Sequence, residues 1–378
     1  MTYNSIHSCF GNKIKVDIFG GSHEPFVGTI ITGLPAGVEV DLDEVRAFMA
    51  LRAPGNSIFT TARKEPDIPE IKSGAFICGK QLTTDGTPLE IVIKNADTQP
   101  EDYKKFKTVP RPGHADFSAF MKYRASADGA GDRTDDPGPS LAGGGPFSAR
   151  MTAPLCAAGA IAIQMLKKCR ICIGSHIFSV GNIYDVPFEP ARITNEQLLG
   201  LNFRTFPVIN NAAGEKMKTA ILKVKSAGDS LGGIIETAAA GLPAGLGGPL
   251  YSGVESVLSP ILFGIPAVKG VEFGTGFAAA TLIGSENNDP FMLEAGRVVT
   301  RTNHHGGILG GITTGMPFVV RIAFKPTPSI ALEQDSVDLE KMEPAKISIK
   351  GRHDPCVAIR AFPAVEAAIA LGIADLLL

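Results

Sequence analysis

Five of the seven histidines in this 378-residue chain fall in loops rich in glycine, proline and charge. They are His23 in GGSHEP, His114 in PRPGHADF, His304 and His305 in TRTNHHGGILGG, and His353 in KGRHDPC. Imidazole titrates closest to neutrality, so a set of loop histidines points to general acid–base work. Each group has a hydroxyl, carboxylate or arginine within three residues. The other two, His7 and His176, stand in terminal or apolar contexts and read as structural. Cations accompany the loops: Arg52, Arg63, Lys64, Arg111, Arg124, Arg150, Lys325 and Arg352. A guanidinium fork grips phosphate or carboxylate through two parallel N–H groups, and Arg111 and Arg352 lie within three residues of a loop histidine. Any one of these side chains alone reads as solvated surface. Their recurrence points to one shared site that handles anions and protons.

Other chemistries lack their motifs. No G-x-x-x-x-G-K-[ST] occurs, and no G-x-G-x-x-G follows a strand and opens a helix, so neither a P-loop nor a dinucleotide fingerprint is present. GGGPFSAR opens a long helix with Ser148 at its N-cap, a place suited to an anion. CRIC, Cys169–Cys172, has redox or zinc spacing, but no second pair completes a metal site; it reads as two buried thiols. Six scattered cysteines in a long chain read as reduced and cytosolic.

These loops need a frame. KIKVDIF alternates, with Ile14, Val16 and Ile18 on one face and Lys13, Lys15 and Asp17 on the other, which predicts a half-exposed strand. GGSHEP is turn chemistry, and FVGTIITGL predicts a second, more buried strand. Residues 15–37, KVDIFGGSHEPFVGTIITGLPAG, return at 223–245 as KVKSAGDSLGGIIETAAAGLPAG, with ten of 23 positions identical and His23 facing Leu231. The echo predicts a duplicated strand–loop–strand unit: a single domain over 1–378 with pseudo-repeated halves of about 1–200 and 201–378. Its period is too long for a solenoid. The histidine then belongs to a site, not to the fold. VDLDEVRAFMALRAPG predicts a helix ending near Arg52 and Pro54, SGVESVLSPIL another, and SARMTAPLCAAGAIAIQMLKKC and AVEAAIALGIADLLL two long apolar ones. The stretch ASADGAGDRTDDPGPSLAGGG is a long loop of the kind that is either disordered or a lid.

Composition narrows the partners. The chain is 44% hydrophobic and its net charge is −2, so an anion site must be a local pocket, not a basic surface for nucleic acid. The N-terminus lacks the apolar stretch of a signal peptide, and no run approaches the ~18 apolar residues of a spanning helix.

Taken together, the loops resemble those of the chorismate synthase family. Its signatures appear as GGSHEPFVGTIITGLPAG, GGGPFSARMTAPLCAAGA and GRHDPCVAIRAFPAVEAA, with RPGHAD, NHHGGILGGITTG and KPTPSI in order between them. The resemblance implies an α+β sandwich of helices between antiparallel sheets with pseudo-twofold symmetry, assembled as a cytoplasmic homotetramer. It implies a lyase that converts 5-enolpyruvylshikimate 3-phosphate to chorismate by 1,4-anti elimination of phosphate, with reduced FMN and no net redox change. NADPH as flavin reductant is left open.

By the same resemblance, His23 protonates the leaving phosphate, His114 governs protonation of the reduced flavin, and Asp354 helps remove the C6 proton. Ser22 and Ser148 link these groups. Arg63, Arg111 and Arg150 bind substrate. Arg52, Pro146, Phe147, Ser148, Ala267, Gly310, Lys325, Pro326, Thr327, Pro328, Ser329 and Arg352 form the cofactor site, and no metal is implied. Departures from the family pattern are Pro146 and Phe147 in place of Arg-Ser, Pro328 in place of a serine, Ala53 and Ile58 in an arginine-rich segment, and Glu24 after the first histidine. The acid-rich loop at 128–136 is longer than usual. Two other readings stand beside the lyase: a non-catalytic flavin or phosphometabolite binder on the same fold, and an FMN oxidoreductase acting on NADPH.

Overall fold

The computed structural model describes residues 7–55, 57–61, 65–96, 108–124, 142–202, 204–349 and 353–378. Arg63, Arg352 and the acid-rich loop at 128–136 lie outside the described residues. The predicted alternation near the N-terminus builds an antiparallel sheet of β1 (Ser8–Phe10), β2 (Lys15–Gly20), β3 (Phe26–Thr32), β4 (Pro69–Ser73) and β5 (Leu89–Lys94), in the order β1-β2-β3-β5-β4. Val16 pairs with Ile31 and Phe19 with Gly28. Gly28 is required there, because a Cβ would stand 2.4 Å from the Phe19 ring.

A second sheet repeats this plan with β6 (Cys172–Val180), β7 (Ile183–Tyr184), β8 (Gly233–Ala240), β9 (Val268–Phe273) and β10 (Phe318–Phe324), in the order β7-β6-β8-β10-β9. The two GLPAG segments adopt the same local structure. Gly33 and Gly241 have φ of 84° and 87°, and Gly37 and Gly245 of 82° and 100°, conformations that favour glycine. Each turn is closed by a threonine. Thr84 Oγ1 accepts from Val38 N at 2.9 Å and donates to Pro35 O, while Thr313 Oγ1 accepts from Leu246 N at 2.9 Å and donates to Pro243 O.

The first part of the sequence echo does not hold. Lys223–Ser226 is not a strand but the end of a helix, Asn211–Ser226, whose start is capped by the Asn210 side chain and which buries Met217 and Ile221 one turn apart. The place that β2 holds beside β3 is taken beside β8 by β6. The second sheet therefore opens at Cys172.

Between the sheets lie α1 (Thr152–Lys168) and α2 (Ala358–Leu377), the first against β3 and β5, the second against β6 and β8. They touch closely where Gly159 faces Ala367, since a Cβ on Gly159 would stand 2.2 Å from the Ala367 methyl. Ala149–Lys168 is long and apolar enough to cross a membrane, contrary to the reading from the sequence. It is mostly buried, and its alanines and isoleucines form the core with Phe362, Val365 and Ile369. The arrangement is the expected α+β sandwich of helices between antiparallel sheets.

Candidate active site

The turn from β2 to β3 is forced by Gly20, at φ 97°, where a Cβ would stand 2.6 Å from Phe26 O. It presents Ser22, fully buried, and the half-buried His23. Ser22 N donates to Gly145 O at 3.3 Å. Asn95, one residue beyond β5, fastens the same turn by donating from Nδ2 to Gly21 O at 3.0 Å and to Glu24 O at 2.6 Å.

From Asn95 the contacts run inward. Arg150 Nε donates to Asn95 Oδ1 at 2.7 Å, and its Nη2 to Lys94 O at 3.1 Å. Its third nitrogen pairs with Asp67, whose other oxygen takes Arg52 Nη1. Arg52 also donates to Thr152 Oγ1 at 3.0 Å and to Ala149 O at 3.1 Å. All three charged side chains are buried. Burial pushes the Asp67 carboxyl up, but the two guanidiniums outweigh it and hold the group below the usual carboxylate range. Asp67 sits at φ 51°, a costly conformation for a residue with a Cβ, and the flanking arginines fix it there.

Arg52 O accepts from Arg360 Nε and Nη2 at 3.1 and 3.0 Å, and Arg360 Nη1 donates to Asp354 Oδ2 at 2.6 Å. Asp354 Oδ1 accepts from Thr61 N at 2.8 Å, and Asp354 O from Thr327 Oγ1 at 2.7 Å. Two residues on, Ser329 Oγ accepts from Arg111 Nη1 at 3.3 Å. Arg111 clamps Asp116 through Nε at 2.7 Å and Nη2 at 2.8 Å, and His114 Nδ1 lies 2.6 Å from Asp116 Oδ1. Desolvation opposes ionisation of Asp116, yet Arg111 and His114 hold its carboxyl far below the usual range. His114 Nε2 points at Gly144, where a Cβ would come within 3.1 Å. Gly144 adjoins Gly145, which returns the chain of contacts to Ser22. The groups thus close a ring that carries His23, His114 and Asp354.

His353 precedes Asp354 in the chain and feels the charges of Arg111, Asp354 and His114. Desolvation lowers its imidazole to about 4, with the charge of Arg111 acting in the same sense and that of Asp354 opposing it. Its Nε2 is buried and has no hydrogen-bond partner among the described residues.

Several expected site residues sit differently from the simplest expectation. Arg111 and Arg150 are 4% and 3% exposed and already engaged by Asp116 and Asp67, and Arg52 lies beneath the site as a buried brace. Ser148 caps the short turn Ala149–Met151 that precedes the long helix, accepting from Arg150 N at 3.2 Å. Pro146 and the exposed Phe147 end the 3-10 turn before it. Lys325 donates from Nζ to Gly113 O and from its backbone N to Ala267 O at 3.0 Å. Pro328 borders Gly113, and Pro326 borders Gly232. Gly310 caps a hairpin of Ile308–Leu309 and Ile312–Thr313 that contacts the Gly247–Val254 stretch, and no described contact ties it to the ring. His304 and His305 are held by Thr275 and Asp289 and do not join the other histidines. Cys169 is exposed and Cys172 half-exposed, so CRIC is not a buried pair; the chain turns at Arg170, φ 62°. His176 is buried between Asp185 and Glu236.

Sequence reasoning missed Asp67, Asn95, Asp116, Gly144 and Arg360. Asp116 stands two residues after His114, Gly144 lies in the GGGPFSAR run and Arg360 in the GRHDPCVAIRAFPAVEAA signature, whereas Asp67 and Asn95 carried no local signal.

The sequence model of the family described as chorismate synthase matches residues 14–378. The chain belongs to the chorismate synthase family. A chorismate synthase of Lancefieldella parvula is 43% identical over 380 residues, covering 98% of this chain and 96% of the relative. One from Thermococcus kodakarensis is 42% identical over 368 residues, covering 97% of each. A solved structure titled "Crystal Structure of Chorismate Synthase" superposes with a TM-score of 0.71 at 27% identity, covering 97% of this chain and 92% of that one. Members of the chorismate synthase family are lyases of the shikimate pathway that act on a small molecule and require a reduced flavin.

Proposed function

We propose that the chain catalyses the 1,4-anti elimination of phosphate from 5-enolpyruvylshikimate 3-phosphate to give chorismate, with His23, His114 and Asp354 as its catalytic residues. The observation that carries this reading is the closed ring of contacts that links the segments bearing two acid–base histidines and a carboxylate. An anti elimination needs its acid and its base on opposite faces of the substrate. Along the ring His23 and Asp354 are separated by the Asn95, Arg150, Asp67, Arg52 and Arg360 links, which leaves room for the two groups to act on different faces of a bound substrate.

His23 acts as the acid for the departing phosphate, since a protonated phosphate leaves more readily than its anion. Asp354, held by Arg360 and Thr61 N–H, keeps lone pairs free to accept the C6 proton. Asp116 anchors His114 at Nδ1, which leaves Nε2 to exchange a proton with a bound ligand. Ser22 and Ser148 support these groups through the backbone contacts described. Arg111 and Arg150 act on the substrate chiefly by holding these loops and by their positive charge.

The residues present suit a flavin. The buried Nε2 of His353 has no hydrogen-bond partner among the described residues, and Lys325 with Pro326, Thr327, Pro328 and Ser329 forms a loop running past Asp354 and Arg111. We assign FMN to this loop, together with Ala267, Gly310 and Arg352. When bound, the reduced flavin supplies an electron-rich ring with no net redox change. A cytosolic location, a homotetramer and a single domain of two related halves complete the reading, with the flavin reduced either by NADPH on this protein or by an external reductant.

The test is anaerobic phosphate release and chorismate absorbance with 5-enolpyruvylshikimate 3-phosphate and dithionite-reduced FMN. Turnover dependent on both is expected. Binding of FMN without any phosphate release would favour a non-catalytic flavin or phosphometabolite binder instead.

A further inference from the structure

We propose that His353 is a positioning residue for the flavin, hydrogen-bonding the isoalloxazine ring through Nε2. The inference rests on the reading of the pocket as a flavin site. His353 lies beside Asp354 in the chain and within electrostatic reach of Arg111 and His114. A buried polar nitrogen without a partner is costly, and Nε2 is such an atom among the described residues. It therefore marks a place where a ligand completes the structure.

The charge state selects the ligand. Burial, with the neighbouring guanidinium of Arg111, keeps the ring neutral at physiological pH, and the carboxylate of Asp354 only partly offsets them. A neutral imidazole does not compensate the phosphate or carboxylates of the substrate. It does suit an uncharged ring edge of carbonyl oxygens and nitrogens, which is what a flavin offers. The division of labour follows: Asp116 anchors His114 at Nδ1 for proton exchange, and His353 stays neutral and orients.

Oxidised FMN binding, followed by quenching of flavin fluorescence on the full-length protein, tests this without turnover. His353→Phe keeps a planar ring but removes the nitrogens, and should weaken FMN binding about five- to tenfold, as loss of one buried hydrogen bond does. His353→Gln retains a donor and should bind within about threefold of wild type. Both should melt near the wild-type temperature. In ¹⁵N NMR, the imidazole signal absent from His353→Phe should be that of a neutral ring from pH 8 down to 5. Binding by His353→Phe within twofold of wild type would overturn the proposal, as would equal losses in both variants with a lowered Tm, or a cationic signal at pH 6. Failure of the wild-type protein itself to bind FMN would defeat the flavin reading instead.

Discussion

Arg360 donates to Asp354 Oδ2 at 2.6 Å while its other two nitrogens close on Arg52 O. One side chain thus ties the carboxylate to the buried arginine–aspartate brace beneath it.

Removing that tie should act on chemistry more than on binding. In Arg360→Ala, Asp354 keeps only Thr61 N–H on its carboxylate, and its orientation toward the substrate relaxes. A fall in kcat of about 10²-fold is expected, the scale on which misplacement of a reacting group acts, with KM for the phosphorylated substrate changed far less. Arg360→Lys should recover part of the loss. Steady-state phosphate release under anaerobic conditions reads both parameters, and an alanine variant within threefold of wild type in kcat would rule the relationship out.

The brace itself gives a different signature. Asp67 pairs with two buried cations, Arg52 and Arg150, and Glu65 Oε2 lies 4.0 Å from Arg150 Nη2. Asp67→Asn keeps the shape but leaves Arg52 without its carboxylate and Arg150 with only the more distant Glu65, and breaking a buried pair typically costs about 3–5 kcal/mol. Arg150→Ala should likewise lower Tm and kcat together, because it also releases Asn95 and with it the His23 turn. The reading from sequence alone, an arginine gripping substrate at the surface of the pocket, would instead raise KM with Tm unchanged. Thermal melts beside kinetics on the two variants decide between them.

Glu366 yields a pH dependence. It lies in the core on the C-terminal helix, 6% exposed, and desolvation pushes its carboxyl up to about 8 against the opposing hydrogen bonds of Ser175. The ordinary value is 4.5, so the unfolded chain loses this proton at a lower pH than the folded one. The stability associated with the neutral group is full below 4.5 and declines as pH rises through about 8, by about 1.4 kcal/mol per unit within that window. Glu366→Gln, always neutral, should therefore match wild type near pH 4.5 and melt at a higher temperature near pH 8. Parallel Tm–pH curves for the two proteins would count against a protonated Glu366.

How much of this was legible in the chain depended on distance along it. The alternation of KIKVDIF, the Ala-rich helix and the GLPAG turns are local patterns, and each became the expected element. The helix over Lys223–Ser226 was misread because Lys-Val and a glycine five residues on spell either a strand or a helix end, and the deciding Asn210 cap lies outside the echo. Within the site, His23, His114 and Asp354 stood in motifs of loop chemistry. Asp67 and Asn95 did not, because an isolated polar residue acquires its role only from an arginine 83 or 55 positions away. The same limit made Arg150 look like a free anion-binding group.

His23 and Leu231 align in the sequence echo but do different work. His23 sits in a turn fastened by Gly145 and Asn95 at the pocket. Leu231 packs its side chain near Gly181 and donates from its backbone N to Pro355 O at 2.8 Å, so its loop supports the segment that carries Asp354. His23→Ala removes the acid for the departing phosphate and should lower kcat by about 10²–10⁴-fold, with FMN binding and Tm near wild type. Leu231→Ala leaves the backbone hydrogen bond in place and trims only a partly buried side chain, so it should cost about 1–3 kcal/mol of stability and little kcat. The two variants should therefore fall in opposite corners of a plot of kcat against Tm. A His23→Ala protein that releases phosphate within about threefold of wild type would remove this histidine from the mechanism, since a general acid is worth far more.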